Sequence, residues 1–376
     1  MFPFGAANIA HLNLYSEEVN GEQSGILPYV FVLCLFCSLL DPKVRRLTKE
    51  LWVPYIVLSA YICVTIMTEI FYGLSGFNYT FFIKLIVGGY GSMIIGQTFI
   101  AHPNLLKESL IIYAVTCISL TSAFYAGFLN NSFYFSNGRL WFLGINPNTY
   151  SFMIGIAVII LTLFEFSNKF FNFLRIPSAL SLLYFMLLLG SRGSIIFLAL
   201  ALIIIYGGKK VNFFLIVAII AIAMATIPLL YEYEFTIFER FEDFKGSDSR
   251  EDLIKKTLSI YEESPLFGIG PSGYREKMLS WYNENRDSHN ILITSLATSG
   301  IVGTLFLSLL LFLFFKISIF RSYWRRTSFA IFILVFLMSM KSGYVITFSQ
   351  MWYLYGVVIS LNYNGRLRNN LQKQIV

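Results

Sequence analysis

Residues 283–318 read NENRDSHNILITSLATSGIVGTLFLSLLLFLFFKIS, and the change of character inside that stretch decides how the chain is built. A polar run ends at Asn290, and an apolar run then continues almost to Lys316. That is long enough to cross the hydrocarbon of a bilayer as a helix, which takes roughly 17 to 25 apolar residues because unpaired backbone groups are too costly there. The same character recurs along the chain: 56% of its 376 residues are apolar, 13% are charged, and the mean hydropathy is +0.67. Such a composition exceeds what a soluble domain carries and predicts an all-α, polytopic membrane protein. Spans are expected near 26-40, 51-69, 80-99, 105-122, 148-165, 176-190, 194-207, 211-230, 288-315, 329-346 and 350-363, about 11 in all. Residues 1 to 25 contain no Lys or Arg and no continuous apolar core, so they do not read as a cleavable signal peptide.

Positive charge orients the set. Lys43, Arg45, Arg46, Lys49, Lys107, Lys169, Arg175, Lys209, Lys210, Lys316, Arg321, Arg325, Arg326, Arg366, Arg368 and Lys373 fall in connections on one side, which the positive-inside rule makes cytoplasmic. The net charge of +7 therefore reflects membrane orientation, and no nucleic-acid partner is expected. The organisation read from this pattern is a transmembrane region 1-230, a large outward loop 231-287 and a transmembrane region 288-376, integrated in one membrane domain. The N-terminus is then outside and the C-terminus inside. Cys34, Cys37, Cys63 and Cys117 all lie in apolar spans, where cysteines are packing residues, and no disulfide framework is visible. Glu69, Lys84 and His102 are ionisable groups in or beside the early spans; Lys84 reads as a snorkelling or paired residue.

The loop has internal order. Ser249 with Asp252 resembles a capping box, after which Arg250, Leu253, Ile254, Thr257, Leu258 and Tyr261 recur at helical spacing. That puts Arg250 on a buried stripe, where it requires an anionic partner, either a glutamate or a ligand phosphate. Glu251 with Lys255 and Asp252 with Lys256 form i,i+4 pairs on the opposite, solvated face. The run Phe267-Gly-Ile-Gly-Pro-Ser-Gly-Tyr274 lacks a preceding strand and a following Lys-Ser/Thr, so it reads as a chain-reversing turn and not as a nucleotide loop. A second short amphipathic piece carries Tyr274, Arg275, Met278, Trp281 and Tyr282, aromatics that suit a carbohydrate face or an interfacial belt equally.

Three further residues stand out. Ser288 reads as a helix N-cap, which places His289 in the first turn of the long span, where the positive helix end disfavours the imidazolium and leaves a neutral base. Gly190-Ser-Arg192-Gly-Ser194 confines an arginine to a tight outward turn at a helix start, a setting for phosphate oxygens or for lipid headgroups. Arg139 has Tyr134, Phe135, Trp141 and Phe142 around it, a group that faces a sugar or anchors at the interface. Arg192, Arg250 and His289 together point to glycosyl transfer from a polyprenyl-diphosphate donor, the arginines stabilising departing phosphate and the histidine activating an acceptor hydroxyl. Glu242, Asp243 and Asp248 lie among like charges on a solvated stretch, so a metal-independent reaction without cofactor is expected.

At these residues the sequence resembles the O-antigen ligase and O-antigen polymerase superfamily of bacterial envelope glycosyltransferases. The likeness is carried by Asn146-Pro147-Asn148 opening a span, Ser191-Arg192-Gly193, Ser249-Arg250 followed by Pro265-Leu-Phe-Gly-Ile-Gly270, and His289-Asn290 followed by Gly300-Ile-Val-Gly303. It covers roughly residues 130 to 310. It implies a GT-C-like membrane fold in the bacterial inner membrane and an active site facing the periplasm. It also implies an undecaprenyl-diphosphate-linked oligosaccharide as donor, with membrane lipids and a chain-length regulator protein as further partners. By that resemblance Arg192 and Arg250 contact donor diphosphate and His289 activates the acceptor, while Arg139, Asn148, Tyr274, Arg275 and Asn290 are candidates for substrate binding. The motifs do not separate a polymerase, which joins a glycan to another lipid-linked repeat unit, from a ligase, which moves it to lipid A-core. The Phe- and Tyr-rich, idiosyncratic chain favours the polymerase. A lipid-linked oligosaccharide transporter would require ionisable groups along a mid-membrane route or repeated halves, and neither is evident.

Overall fold

The computed structural model describes residues 33, 35–45, 49–72, 77–128, 133–136, 139–142, 147–164, 169–207, 248–284, 287–319, 325–341 and 349–374. The expected span 211-230, the first part of the span 26-40, Asn146 and the loop residues 231–247 lie outside the described residues, as do the side chains of Arg139 and Arg192. In chain order the elements are α1 (Pro42–Arg45), α2 (Lys49–Tyr72), α3 (Tyr79–Ala101), α4 (Pro103–Tyr125), β1 (Phe133–Ser136), β2 (Arg139–Phe142), α5 (Pro147–Leu163), α6 (Lys169–Leu188), α7 (Arg192–Tyr206), α8 (Asp248–Tyr261), α9 (Gly270–Tyr282), α10 (Ile291–Ser318), α11 (Arg325–Ser339) and α12 (Ser349–Gln374). Four stretches are long and apolar enough to cross a membrane: Leu51–Tyr72, Tyr79–Ala101, Pro103–Tyr125 and Ile291–Ser318. Shorter apolar helices occupy Pro147–Leu163, Asn172–Leu188 and Gly193–Tyr206, so the protein is a multi-pass membrane protein.

The chain separates into two compact units, Met1–Cys34 with Asn104–Phe244 and Leu35–Pro103 with Lys245–Val376. In the second, α2 runs beside α10 and α3 beside α12. Burial against lipid offers no hydrophobic gain between helices, so close approach of small residues supplies the packing. Trp352 occupies the space a side chain on Gly88 would need, Leu58 does so at Gly89, and a Cβ on Gly356 would strike the Ser92 carbonyl. Phe314 and Tyr355 stack with ring centroids 4.5 Å apart. At the end carrying Lys43, Arg45 and Lys316, His102 Nε2 lies 2.7 Å from the Asp41 carboxylate and holds that carboxyl below its ordinary range. Lys84 is exposed on α3, as a residue at the lipid-facing surface would be.

The first unit is centred on α5, whose residues from Pro147 to Leu161 are nearly all buried, packed on α6 and α7. Tyr113 on α4 donates its hydroxyl to the Met153 carbonyl at 3.2 Å. One departure from the all-helical expectation lies here: β1 and β2 form an antiparallel hairpin pairing Tyr134 with Trp141 and Phe135 with Leu140. Cross-strand aromatic and apolar pairs stabilise such a ladder. The sequence signal is Asn137-Gly138 between aromatic runs, a dipeptide suited to a two-residue hairpin loop.

Candidate active site

In the second unit the site is built on the start of α10. Asn290, not Ser288, is its N-cap: the backbone is extended there, and the Asn290 side-chain oxygen accepts from Leu292 N at 3.0 Å and Ile293 N at 3.2 Å. An asparagine caps as well as a serine does, and here the buried Ser288 hydroxyl is engaged elsewhere, with the Asn290 carbonyl and the Thr294 hydroxyl. His289 therefore precedes the helix instead of lying in its first turn. Its φ is +53, the left-handed region that non-glycine residues seldom occupy. The buried Asp287 fixes this conformation by accepting the His289 N–H at 3.0 Å, and the same oxygen lies 3.4 Å from His289 Nδ1. A carboxylate on that side favours the proton on Nδ1, which makes Nε2 the basic ring atom.

Arg250 belongs to the first turn of α8 and is half-buried. The helix includes Ser249, so that residue is not its cap. The buried stripe is Leu253, Thr257 and Ile260, with Leu258 turned outward, and it packs on Ile269, Tyr274, Met278 and Ala297. The i,i+4 pairs Glu251–Lys255 and Asp252–Lys256 form on the outer face as expected. Tyr274 is part of this small core, buried, with its hydroxyl 2.9 Å from that of Thr257. Arg275, next along α9, is exposed.

The glycine-rich turn does more than reverse the chain. Gly300 has φ +63 and ψ −169, which breaks α10, and the turn fills the break. Ile301 N, which in an uninterrupted helix would bond the Ala297 carbonyl, bonds Pro265 O at 2.9 Å, and Ile269 N takes the Ala297 carbonyl at 3.0 Å. Val302 N bonds Leu266 O at 3.1 Å, while the Thr298 carbonyl accepts from the Thr68 hydroxyl of α2 at 3.3 Å. These two helical bonds, lost at the break, are thus matched from outside, as an apolar surrounding requires.

Glu69 completes the arrangement and was not singled out for function from sequence. It is 2% exposed on α2 and accepts from Asn78 N and Ser272 N, each at 3.0 Å, and from the Ser272 hydroxyl. Its carboxylate sits against Gly270, at the N-terminal end of α9, where unmatched N–H groups favour an anion. Replacing Glu69 by alanine leaves the buried Ser272 N–H and hydroxyl and the half-buried Asn78 N–H unmatched and is expected to cost about 3 kcal/mol. Unfolding of the purified protein in mixed micelles checks this, and a midpoint equal to that of the native protein refutes the anchoring role.

In the first unit Asn148 and the Ser191-Arg192 turn come together. Ser191 Oγ donates to Asn148 Oδ1 at 2.9 Å and lies 2.7 Å from Ser194 Oγ, all three residues being buried. This knot joins the starts of α5 and α7 and fixes Arg192 as the first residue of α7, after Gly190 at φ +62. Arg139 opens β2 opposite Ser136. Arg192, Arg139 and Asn148 thus belong to one unit, and Arg250, Arg275, His289 and Asn290 to the other. Among the described residues no group of three or more His, Cys, Asp or Glu side chains is placed to hold a metal ion.

Residues 177–308 match the family model described as O-antigen ligase. The match spans about a third of the 376-residue chain and takes in Arg192, Arg250, the glycine-rich turn and the head of α10. No curated protein matches the chain.

Proposed function

We propose, taking residues 177–308 as a domain of the O-antigen ligase and polymerase superfamily, that this glycosyl-transferring membrane enzyme is a polymerase of O-antigen or a related surface polysaccharide. It transfers a glycan from an undecaprenyl-diphosphate donor to a lipid-linked repeat-unit acceptor at the periplasmic face of the inner membrane, on a GT-C-like scaffold. The observation that supports this most is the His289 imidazole held by buried Asp287 at the head of a span. His289 Nε2 takes the proton of an acceptor hydroxyl, that oxygen attacks the anomeric carbon, and the bond from that carbon to the diphosphate oxygen breaks, leaving undecaprenyl diphosphate with the electron pair. Arg192 and Arg250 meet the charge that develops on the diphosphate. Arg139 and Arg275 are left for the glycan or its phosphates.

Arg192→Lys tests the two-pronged phosphate contact, since a point charge does not reproduce a guanidinium fork. Transfer by membranes carrying this variant is expected to fall at least about tenfold, equivalent to ~1.4 kcal/mol; full activity assigns Arg192 to headgroup anchoring. The reaction needs no divalent ion in this scheme, so EDTA leaves transfer intact, and a loss restored by added magnesium or manganese overturns that part.

The description of the matching family favours a second reading, a ligase that passes the finished glycan to lipid A-core. The surface glycan of a deletion strain separates the two. A single repeat unit on lipid A-core marks a missing polymerase, and bare core with accumulated lipid-linked polymer marks a missing ligase.

A further inference from the structure

We propose that the turn from Ser264 to Gly268 re-enters the bilayer, so that Leu266 and Phe267 lie against lipid acyl chains as a membrane anchor for the α8–α9 pair. The inference goes beyond the proposed reaction and holds whichever acceptor is used.

Depth carries it. The apolar part of α2, Leu51–Tyr72, has 22 residues, about 33 Å of helix, close to the roughly 30 Å of a hydrocarbon core. Thr65 stands seven residues before that end, about 10 Å inside it, and its hydroxyl is 2.9 Å from that of Ser299 on α10. The turn is bonded one step deeper still, through Ile301 N to Pro265 O and Val302 N to Leu266 O. Counting along α10 from its other end gives a second gauge: a span of about 20 residues above Ser318 reaches Ser299, so Val302 is about 5 Å inside. Both gauges put Leu266 within the hydrocarbon.

What the turn exposes fits that depth. Leu266 is 62% exposed and Phe267 48%, beside a stretch of α10 whose own Ile301 and Leu305 are exposed at 40% and 64%. Side chains so placed on the surface of a soluble loop would cost free energy, whereas against acyl chains they do not. Part of the turn's backbone is engaged: Gly268 N bonds Ser264 O, and Pro265 O and Leu266 O accept from α10. Glu263, which directly precedes the turn, is paired with Lys277, and Lys277 lies 4.7 Å from the Trp281 ring further along α9. The shallower contact is polar, where Glu69 meets Ser272.

The test uses the full chain in liposomes, with Cys34, Cys37, Cys63 and Cys117 replaced and single nitroxide labels at Leu266→Cys, Phe267→Cys, Leu305→Cys and Lys255→Cys. Labels at Leu266→Cys and Phe267→Cys are expected to collide with oxygen more than with a water-soluble nickel chelate, as at Leu305→Cys and opposite to Lys255→Cys. Behaviour like Lys255→Cys overturns the proposal. A second measurement spares the sequence: unmodified protein in nanodiscs is irradiated with a phospholipid bearing a diazirine midway along its acyl chain. Adducts on residues 264–268 support re-entry, and adducts on α10 with none on the turn overturn it.

Discussion

Replacing His289 by asparagine is expected to cut glycan transfer about a hundred- to ten-thousandfold, the range that a positioned general base contributes. Asparagine is the informative substitution because His289 has φ +53, a conformation that asparagine tolerates and most other side chains resist. It accepts the backbone geometry that Asp287 holds through the His289 N–H, and it removes only the base. Alanine at the same position removes the base and adds strain, so its loss alone would be ambiguous. Membranes from a deletion strain supply endogenous lipid-linked donor and acceptor, and incorporation into polymer is read against protein quantity by immunoblot. Both variants are expected to insert normally and to be equally inactive. Native rates in the asparagine variant would remove His289 from the chemistry, while the match of residues 177–308 to the O-antigen ligase family model would stand. Asp287→Asn gives a finer reading: the side chain still accepts the backbone N–H through its oxygen but no longer places a negative charge by Nδ1. A rate between those of the native protein and His289→Asn is expected.

Long apolar runs were legible because the bilayer demands them, and the helices at 51–72, 79–101 and 291–318 follow the expected spans closely. The i,i+4 pairs on α8 were legible for a similar reason, since they depend only on local spacing. Contacts made between distant segments were not. Glu69 and Ser272 are 203 positions apart, and nothing near either residue announces the other. The cap of α10 was misread by two residues because Asp287, Ser288 and Asn290 are all capping residues, and the choice among them is made by Thr294 and by the His289 backbone. On α8 Leu258, expected on the buried stripe, is exposed, and Ile260, which the stripe did not include, is buried in the cluster with Tyr274 and Met278. Tyr274 is a nearer case of the same kind: its hydroxyl meets that of Thr257, 17 positions away, a contact that local spacing does not announce.

Gly300→Ala is expected to destabilise the protein by at least about 3 kcal/mol, and the mechanism of the loss is specific. Its backbone, φ +63 and ψ −169, lies in a region nearly reserved for glycine, which costs other residues about 1–3 kcal/mol. The added methyl would press on the backbone of Leu266 and Phe267, a contact no side-chain rotation relieves, and overpacking adds about 1–3 kcal/mol more. Gly268 faces it with φ +75, and a Cβ there would approach Ser299 N at 2.5 Å and Gly300 N at 2.6 Å, so the two glycines admit each other's backbone. Alanine offers α10 an escape. The helix can close across position 300, with Ile301 N returning to the Ala297 carbonyl. That closure takes from Pro265 O, Leu266 O and Ile269 N the partners that the break supplies. Either outcome loosens the turn and with it the end of α9 that Glu69 holds. Unfolding in mixed micelles should show the fall, and protease cutting between α8 and α9 should rise in parallel. Gly155→Ala is the control, since its nearest neighbours would be 3.8 and 3.9 Å from the new methyl and a helix interior gains roughly 0.5–1 kcal/mol from the exchange. A Gly300→Ala protein as stable as Gly155→Ala would mean that the turn does not depend on the broken helix, and the depth assigned to Leu266 and Phe267 would lose its support.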